Sequence, residues 1–373
     1  MAFDCRAYSS GGVPKLENWL WDDHEEAVLS AFSSLITIVP SGDSRVVQIS
    51  HYWLKEYLTS PHLARAPCAD VSRFHIDLEV AHTIMAQACL ATLRSDEHDR
   101  NSNAKGSPLV KYAAQYWVEH AQFEKVSSRV RDGMDNLFDS SKPHFAAWLQ
   151  VHDMDEDWPN FSIDRHGGSP LYYAAFCGFY DLAERLITKN PDQVNARGGR
   201  ILAPLPAALY KKHFRLANLL HKHGADVDFR GQGECAPMHT ASSDGSIDVV
   251  RWLLDHGADA NARSTYGWTP LHLAANYTHI ECVKMLLGRN ANINVQEIGG
   301  QTPLFWTTEE IGKNTLDTAR RLLELGADPN ICSKSHSTPL HEASSRGSLE
   351  VVRLLLSYGA KVDAKNDKGS TPF

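Results

Sequence analysis

Gly267-Trp-Thr-Pro-Leu-His-Leu-Ala-Ala-Asn276 is the stretch on which the reading of this chain turns. Thr269 offers an N-cap oxygen, and Pro270 stands at the first helical position, where its missing N–H costs nothing. Ala274 and Ala275 are small enough for a partner helix to lie close. Val283, Met285, Leu286 and Leu287 then give an apolar stripe at helical spacing, and Asn290 tolerates the left-handed conformation that ends a helix. Outward from this unit the same pattern returns. Pro170, Pro204, Pro237, Pro270, Pro303, Pro339 and Pro372 are 34, 33, 33, 33, 36 and 33 residues apart. Gly224-Ala225, Gly257-Ala258, Gly326-Ala327 and Gly359-Ala360 close other copies, each glycine suited to the left-handed C′ position. A fixed period of this length predicts helix pairs stacked into a solenoid.

The copies differ. The first reads Ser169-Pro-Leu-Tyr and ends on Lys189-Asn-Pro-Asp192 instead of Gly-Ala. The second reads Ala203-Pro-Leu-Pro, with Pro206 expected to intrude on its first helix. The fifth, Thr302-Pro-Leu-Phe, carries three extra residues near Glu310-Ile-Gly-Lys-Asn314, expected between its two helices. A seventh is only begun before Phe373, with no polar capping repeat, so a truncated product or fragment that frays from about Ser337 is expected. Thr269-Pro-Leu-His272 and Thr338-Pro-Leu-His341 at this period resemble the ankyrin repeat, over about residues 161–373. The resemblance implies six repeats and the start of a seventh, binding other proteins through hairpin tips and the concave face of the first helices.

Composition sets bounds. A chain of 373 residues with 43% hydrophobic content supports two or more folded domains. Residues 1–160 hold 14 Lys and Arg against 23 Asp and Glu, while residues 161–373 hold 23 against 22. Neither half has the basic surface that nucleic-acid binding requires. The start, Met1-Ala-Phe-Asp-Cys5, has no secretory signal pattern, and no apolar run reaches membrane-spanning length. Seven cysteines, at 5, 68, 89, 177, 235, 282 and 332, form no close pair; reduced thiols and a cytoplasmic location are expected.

Residues 1–160 lack the period. A helix is expected from His24 to Ser34 behind the caps Asp22 and Asp23. Strands are expected at Leu35–Val39 and Arg45–Ile49 around a turn at Pro40–Ser44, then a helix over Ser50–Leu58. That order suits a winged-helix-like unit over residues 1–60. A helical domain follows over 61–155, with helices at roughly 74–94, 108–124 and 143–151 and a polar loop at 95–107. The fold class is therefore mainly α: an ankyrin-repeat solenoid preceded by a helical domain with a small winged-helix-like β-hairpin.

Gly12-Val-Pro-Lys-Leu16, Ser44-Arg-Val-Val-Gln-Ile-Ser-His51, Lys55-Glu-Tyr-Leu58, Ala81-His-Thr83, Ala86-Gln-Ala-Cys-Leu90, Tyr116-Trp-Val-Glu-His-Ala-Gln-Phe123 and Lys142-Pro-His-Phe-Ala-Ala-Trp-Leu149 resemble the segment between the NTPase and the repeats of fungal NACHT–ankyrin proteins, a NOD-like class. The resemblance implies the ligand-sensing part of such a receptor. The phosphate-cradling Gly-x-x-x-x-Gly-Lys-Ser/Thr does not occur: Gly312-Lys313 is followed by Asn314. No nucleotide and no other cofactor is expected.

Other chemistry reads as scaffold. His239, His272 and His341 recur one per repeat, so stacking separates them, and they are expected to bond backbone of neighbouring repeats rather than a metal. His221 and His223 complement the last turn of a helix. Asp153, Asp155, Asp157 and Asp164 have calcium-loop spacing, but Trp158 stands where glycine is needed, so an acidic linker is expected. Arg197, Arg200, Lys211, Lys212 and Arg215 read as solvated helix faces, and Ser243 and Ser344 lack the context of a nucleophile. A hydrolytic or metal-dependent enzyme with its site in residues 1–160 is the alternative to a non-enzymatic interaction module. The expected partner contacts are Arg230, Gln232, Glu234, Tyr266, Trp268, Gln296, Glu297, Ile298, Lys334 and His336 at hairpin tips. Ser242, Ser243, Asn276 and Tyr277 join them on the inner helices; Tyr266, Trp268 and Tyr277 are the expected anchors. The partner is another protein, with no nucleic acid and no membrane.

Overall fold

The computed structural model describes residues 36–41, 44–49, 77–94, 108–152, 154, 168–231, 234–308 and 313–373. The chain divides into two compact units, Met1–Ile84 and Met85–Phe373. In the first, strands β1 (Ile36–Ser41) and β2 (Ser44–Ile49) pair antiparallel, with Ile36 opposite Ile49 and Ser41 opposite Ser44. Pairing therefore reaches past Pro40, closer to the turn than expected. The helices expected at 24–34 and 50–58 lie outside the described residues, as does the loop at 95–107. Among the described residues nothing builds the hairpin into a winged-helix-like unit, so that expectation is not supported.

Helix α1 (Leu78–Leu93) starts where Asp77 accepts the backbone N–H of Val80 at 3.1 Å. Then come α2 (Pro108–Gln122), α3 (Val126–Arg129), α4 (Arg131–Leu137) and α5 (His144–Val151). The short α3 and α4 have no counterpart in the sequence reading, because α4 offers only Met134 and Leu137 as buried apolar residues and shows no full stripe. Six helix pairs follow in phase with the prolines. They are α6 (Pro170–Cys177) with α7 (Tyr180–Lys189), α8 (Pro204–Tyr210) with α9 (Phe214–Lys222), and α10 (Pro237–Ser243) with α11 (Ile247–Asp255). The last three are α12 (Pro270–Asn276) with α13 (Ile280–Leu287), α14 (Pro303–Trp306) with α15 (Lys313–Glu324), and α16 (Pro339–Ser345) with α17 (Leu349–Ser357).

Local chemistry explains the ends. Gly224, Gly257, Gly326 and Gly359 take φ of 86, 87, 96 and 84°, and Asn290 substitutes at 63°. Helix α14 stops early because the Thr307 and Thr308 hydroxyls donate back to the carbonyls of Leu304 (2.7 Å) and Phe305 (2.6 Å). Pro206 does not intrude: α8 runs unbroken from Pro204 to Tyr210. It stands at the third helical position, whose N–H has no partner inside the helix, and Ala203 before it has no side-chain oxygen to receive one.

One core runs from Ala86 to Ala360. Helices α2 to α5 close it over the first repeat. Trp117 lies 5.6 Å from Phe179 and 5.3 Å from Trp148, ring centre to ring centre, and Trp148 lies 5.8 Å from Tyr173. Gln122 Nε2 donates to the carbonyl of Cys177 at 2.7 Å, and the Arg185 guanidinium grips Asp135 at 2.5 and 2.9 Å.

A second row ties the repeats together, and the sequence reading missed it. Asn195, Asp228, Asn261, Asn294 and Asn330 recur at the proline period. Asn261 accepts the N–H of Asn292 (2.8 Å) and donates to the carbonyl of Asn290 (3.1 Å); Asn195 and Asn330 do the same one repeat on. Asp228 accepts the N–H of Asp259 at 3.2 Å but, ionised, has no donor to give. Burial, then the charges of Asp259 and Asp226, push its carboxyl above the usual range. Asp228→Asn is therefore expected to stabilise the chain at pH 7 by about 0.5–1.5 kcal/mol, read as a higher urea midpoint. A lower midpoint would contradict the ladder.

Candidate functional site

Among the described residues the inner helices from α8 onward start at hairpins, and three of them are bolted to the next hairpin by histidine. His272 Nδ1 accepts the N–H of Thr269 (3.1 Å), which makes Nε2 the donor, and Nε2 reaches the carbonyl of Gln301 (3.1 Å). His239 reaches the carbonyl of Trp268 at 3.0 Å and His341 that of Ser370 at 3.1 Å. The Thr269 hydroxyl lies 3.0 Å from Nδ1, so threonine and histidine form the cap jointly. Burial holds His239 below its ordinary pKa and pushes His272 down to about 4. His239 and His272 are thus neutral structural bolts. Among the described residues no group of three His, Cys, Asp or Glu is placed to hold a metal, and no helix is long and apolar enough to cross a membrane. The acidic positions Asp153, Asp155, Asp157 and Asp164 lie outside the described residues.

Several expected contact residues are spent between hairpins. Arg230 donates to the carbonyl of Arg263 (2.8 Å), Arg263 to that of Gln296, and Gln296 to that of Cys332 (3.1 Å). Glu297 caps its own turn through the N–H groups of Gly299 and Gln301, at 2.6 and 3.0 Å. His336 pairs with Asp367 at 2.6 Å. Glu234 and Lys334 are exposed, Asn276 is half-buried, Ser242 is buried and Ser243 half-buried. Gln232 lies outside the described residues.

Among the expected contacts, the large apolar side chains left in solvent gather in repeats four and five. Tyr266 is 70% exposed, Tyr277 51% and Ile298 55%. The N–H of Ile298 donates to the carbonyl of Tyr266 at 3.0 Å, which sets those two side chains on adjoining hairpins. Trp268 differs. It is half-buried, with its ring centre 4.3 Å from that of Trp306, a partner the sequence reading did not single out. The spacing of 38 residues is not the repeat period, because Trp268 stands two residues before Pro270 and Trp306 three residues after Pro303.

A groove of about 840 Å³ opens at the second repeat, between the inner helices α8 and α10 and the hairpins before them. Its walls are apolar, with Phe176, Ile201, Leu202, Leu209 and Phe229, and Arg200 and Lys211 lie at its edge.

Comparison with known proteins fits this architecture. A family model of ankyrin repeats matches residues 205–297 and 289–366. Ankyrin repeat and SOCS box protein 16 of Homo sapiens is 46% identical over 55 residues, 15% of this chain and 12% of that protein. The 2-5A-dependent ribonuclease of Mus musculus is 41% identical over 64 residues, 17% of this chain and 9% of that protein. The chain thus spans about a tenth of the length of these curated relatives. The crystal structure of the ankyrin repeat domain of Bcl-3, a member of the IkappaB protein family, superposes with a TM-score of 0.51. It is 32% identical, and the match covers 55% of this chain and 92% of that domain. With the proline period, the histidine bolts and the left-handed helix ends already described, this chain belongs to the ankyrin-repeat family.

Proposed function

We propose that the chain is a non-enzymatic protein–protein interaction module of the cytoplasm, using no nucleotide or other cofactor and binding neither nucleic acid nor membrane. The observation that carries this reading is the exposed trio Tyr266, Tyr277 and Ile298. Large apolar side chains stand in solvent on a rigid, bolted scaffold, and aromatic residues so placed anchor interfaces. By the resemblance of its N-terminal stretches, the module is the ligand-sensing part of a fungal NOD-like receptor of the NACHT–ankyrin kind. The division into residues 1–60, 61–155 and 161–373 belongs to the same proposal, with α2 to α5 serving as the N-terminal cap of the repeats.

Tyr266→Ala with Tyr277→Ala is the test. In capture against a displayed protein library, the double variant should bind the selected partner about 2 kcal/mol more weakly, with far-UV circular dichroism unchanged. Equal binding by both chains would remove these tyrosines from the interface. Trp268 suits this test less, because its contact with Trp306 makes its removal a packing defect as well.

A further inference from the structure

The groove at the second repeat exists because one bolt is missing. In repeats three, four and six a histidine spans from the inner helix to a carbonyl of the next hairpin. In repeat one Tyr172 takes that place, its hydroxyl accepting the N–H of Ile201 at 3.2 Å. In repeat five Phe305 fills the space and is buried. Repeat two alone among these six carries Pro206, too short to reach and too small to fill, and Pro206 lines the groove.

Two further features converge there. Leu202 is held at φ 74°, in the left-handed region a leucine rarely adopts, with its side chain against Gly231. Strain of this kind collects at binding sites more than elsewhere. Among the described lining residues cations also outnumber carboxylates. Arg200 and Lys211 line the groove, and the Lys211 ammonium sits 4.3 Å from the ring centre of Phe176 and 5.8 Å from that of Tyr210. Arg197 stacks on Phe229, a lining residue, at 5.2 Å. Asp244 is the one carboxylate among the described lining residues.

We infer that this groove is a second docking site, which takes an acidic linear peptide with a large apolar side chain seated beside Pro206. The inference rests on the chain being a protein-interaction module, and it names the chemistry of one partner. The apolar side chain replaces the missing imidazole between Pro206, Leu209 and Phe229. The peptide carboxylates lie against Lys211, where charge complementarity sets orientation and specificity.

The test is selection of a random dodecapeptide phage library on the full chain, followed by fluorescence anisotropy with labelled synthetic copies of the enriched peptides. Enriched sequences should carry an excess of Asp and Glu around large apolar residues. Their affinity should fall about tenfold or more in Lys211→Glu, an exposed change. Pro206→His should weaken the peptide while raising the melting temperature, because the new imidazole fills the groove and reaches the carbonyl of Cys235 as His239 reaches that of Trp268. If Pro206→His loses stability instead, the exposed Lys211→Glu variant decides. Enriched peptides without acidic excess, or indifferent to Lys211→Glu, overturn the groove proposal. If such peptides are lost in Tyr266→Ala with Tyr277→Ala, the interaction-module reading stands while the groove falls. No enrichment at all overturns both.

Discussion

Trp117→Ala is expected to cost about 3–5 kcal/mol, in the range found for deleting a large buried aromatic. Trp117 is fully buried, and its ring lies 5.3, 5.6 and 5.9 Å from those of Trp148, Phe179 and Phe138. It therefore joins α2, α4–α5 and the first repeat in one contact. Its indole N–H meets no acceptor among the described residues, so the loss is one of packing and not of a hydrogen bond. Trp117→Phe should accordingly cost much less than alanine. Because a repeat array transmits stability only between neighbours, the damage should be greatest nearby. Hydrogen exchange should quicken at amides 171–187 well before those of 340–355. Uniform loss along the array, or none, would mean that the N-terminal helices do not support the solenoid.

Acid should destabilise the array between pH 6.5 and 4. Burial pushes His272 down from its ordinary 6.5 to about 4, so the unfolded chain takes up a proton that the folded chain refuses. The stability tied to this group is fully present above pH 6.5 and is lost as pH falls towards 4. At the lower limit the loss approaches roughly 3 kcal/mol. His239 and His213, both also lowered by burial, add in the same direction. Asp228 and Asp244, raised by burial, oppose the trend, but only where carboxylates begin to protonate. Urea midpoints measured across this window should fall with pH, and His272→Gln should flatten the slope while lowering the plateau. A flat wild-type profile between pH 6.5 and 5 would show that the imidazole is not held neutral by the fold.

The route from residues to repeat was short because its signals are local. Pro270 fixes φ and withholds a donor, Gly257 accepts a φ of 87°, and neither depends on what lies 30 residues away. Histidines at a constant offset from the prolines were readable as backbone partners for the same reason. Elsewhere the reading stopped at composition. Helix α4, with Arg131, Asp132, Asp135 and Asn136 among its seven residues, carries no periodic stripe; its place is held by Met134, Leu137 and the grip of Arg185 on Asp135. Trp268 and Tyr266 look alike as hairpin aromatics, yet one packs at a tilt against Trp306 and the other stands in solvent. Arg230 and Gln296 look like free tips until the carbonyls of Arg263 and Cys332 are placed beside them.

The sequence by itself determined the period, the six helix pairs, their proline starts, the glycine or asparagine ends of five of them, and the repeat family, since each follows from the backbone preferences of single residues. Only the tertiary structure decided which side chains bind the repeats to one another and which are left over. The Asn195–Asn330 ladder, the Trp117 cluster and the groove opened by Pro206 all depend on what a neighbour about one repeat away, or on another helix, presents. Such contacts depend on side-chain reach and on the vacancy or fullness of the space between elements, and no window of local sequence contains either.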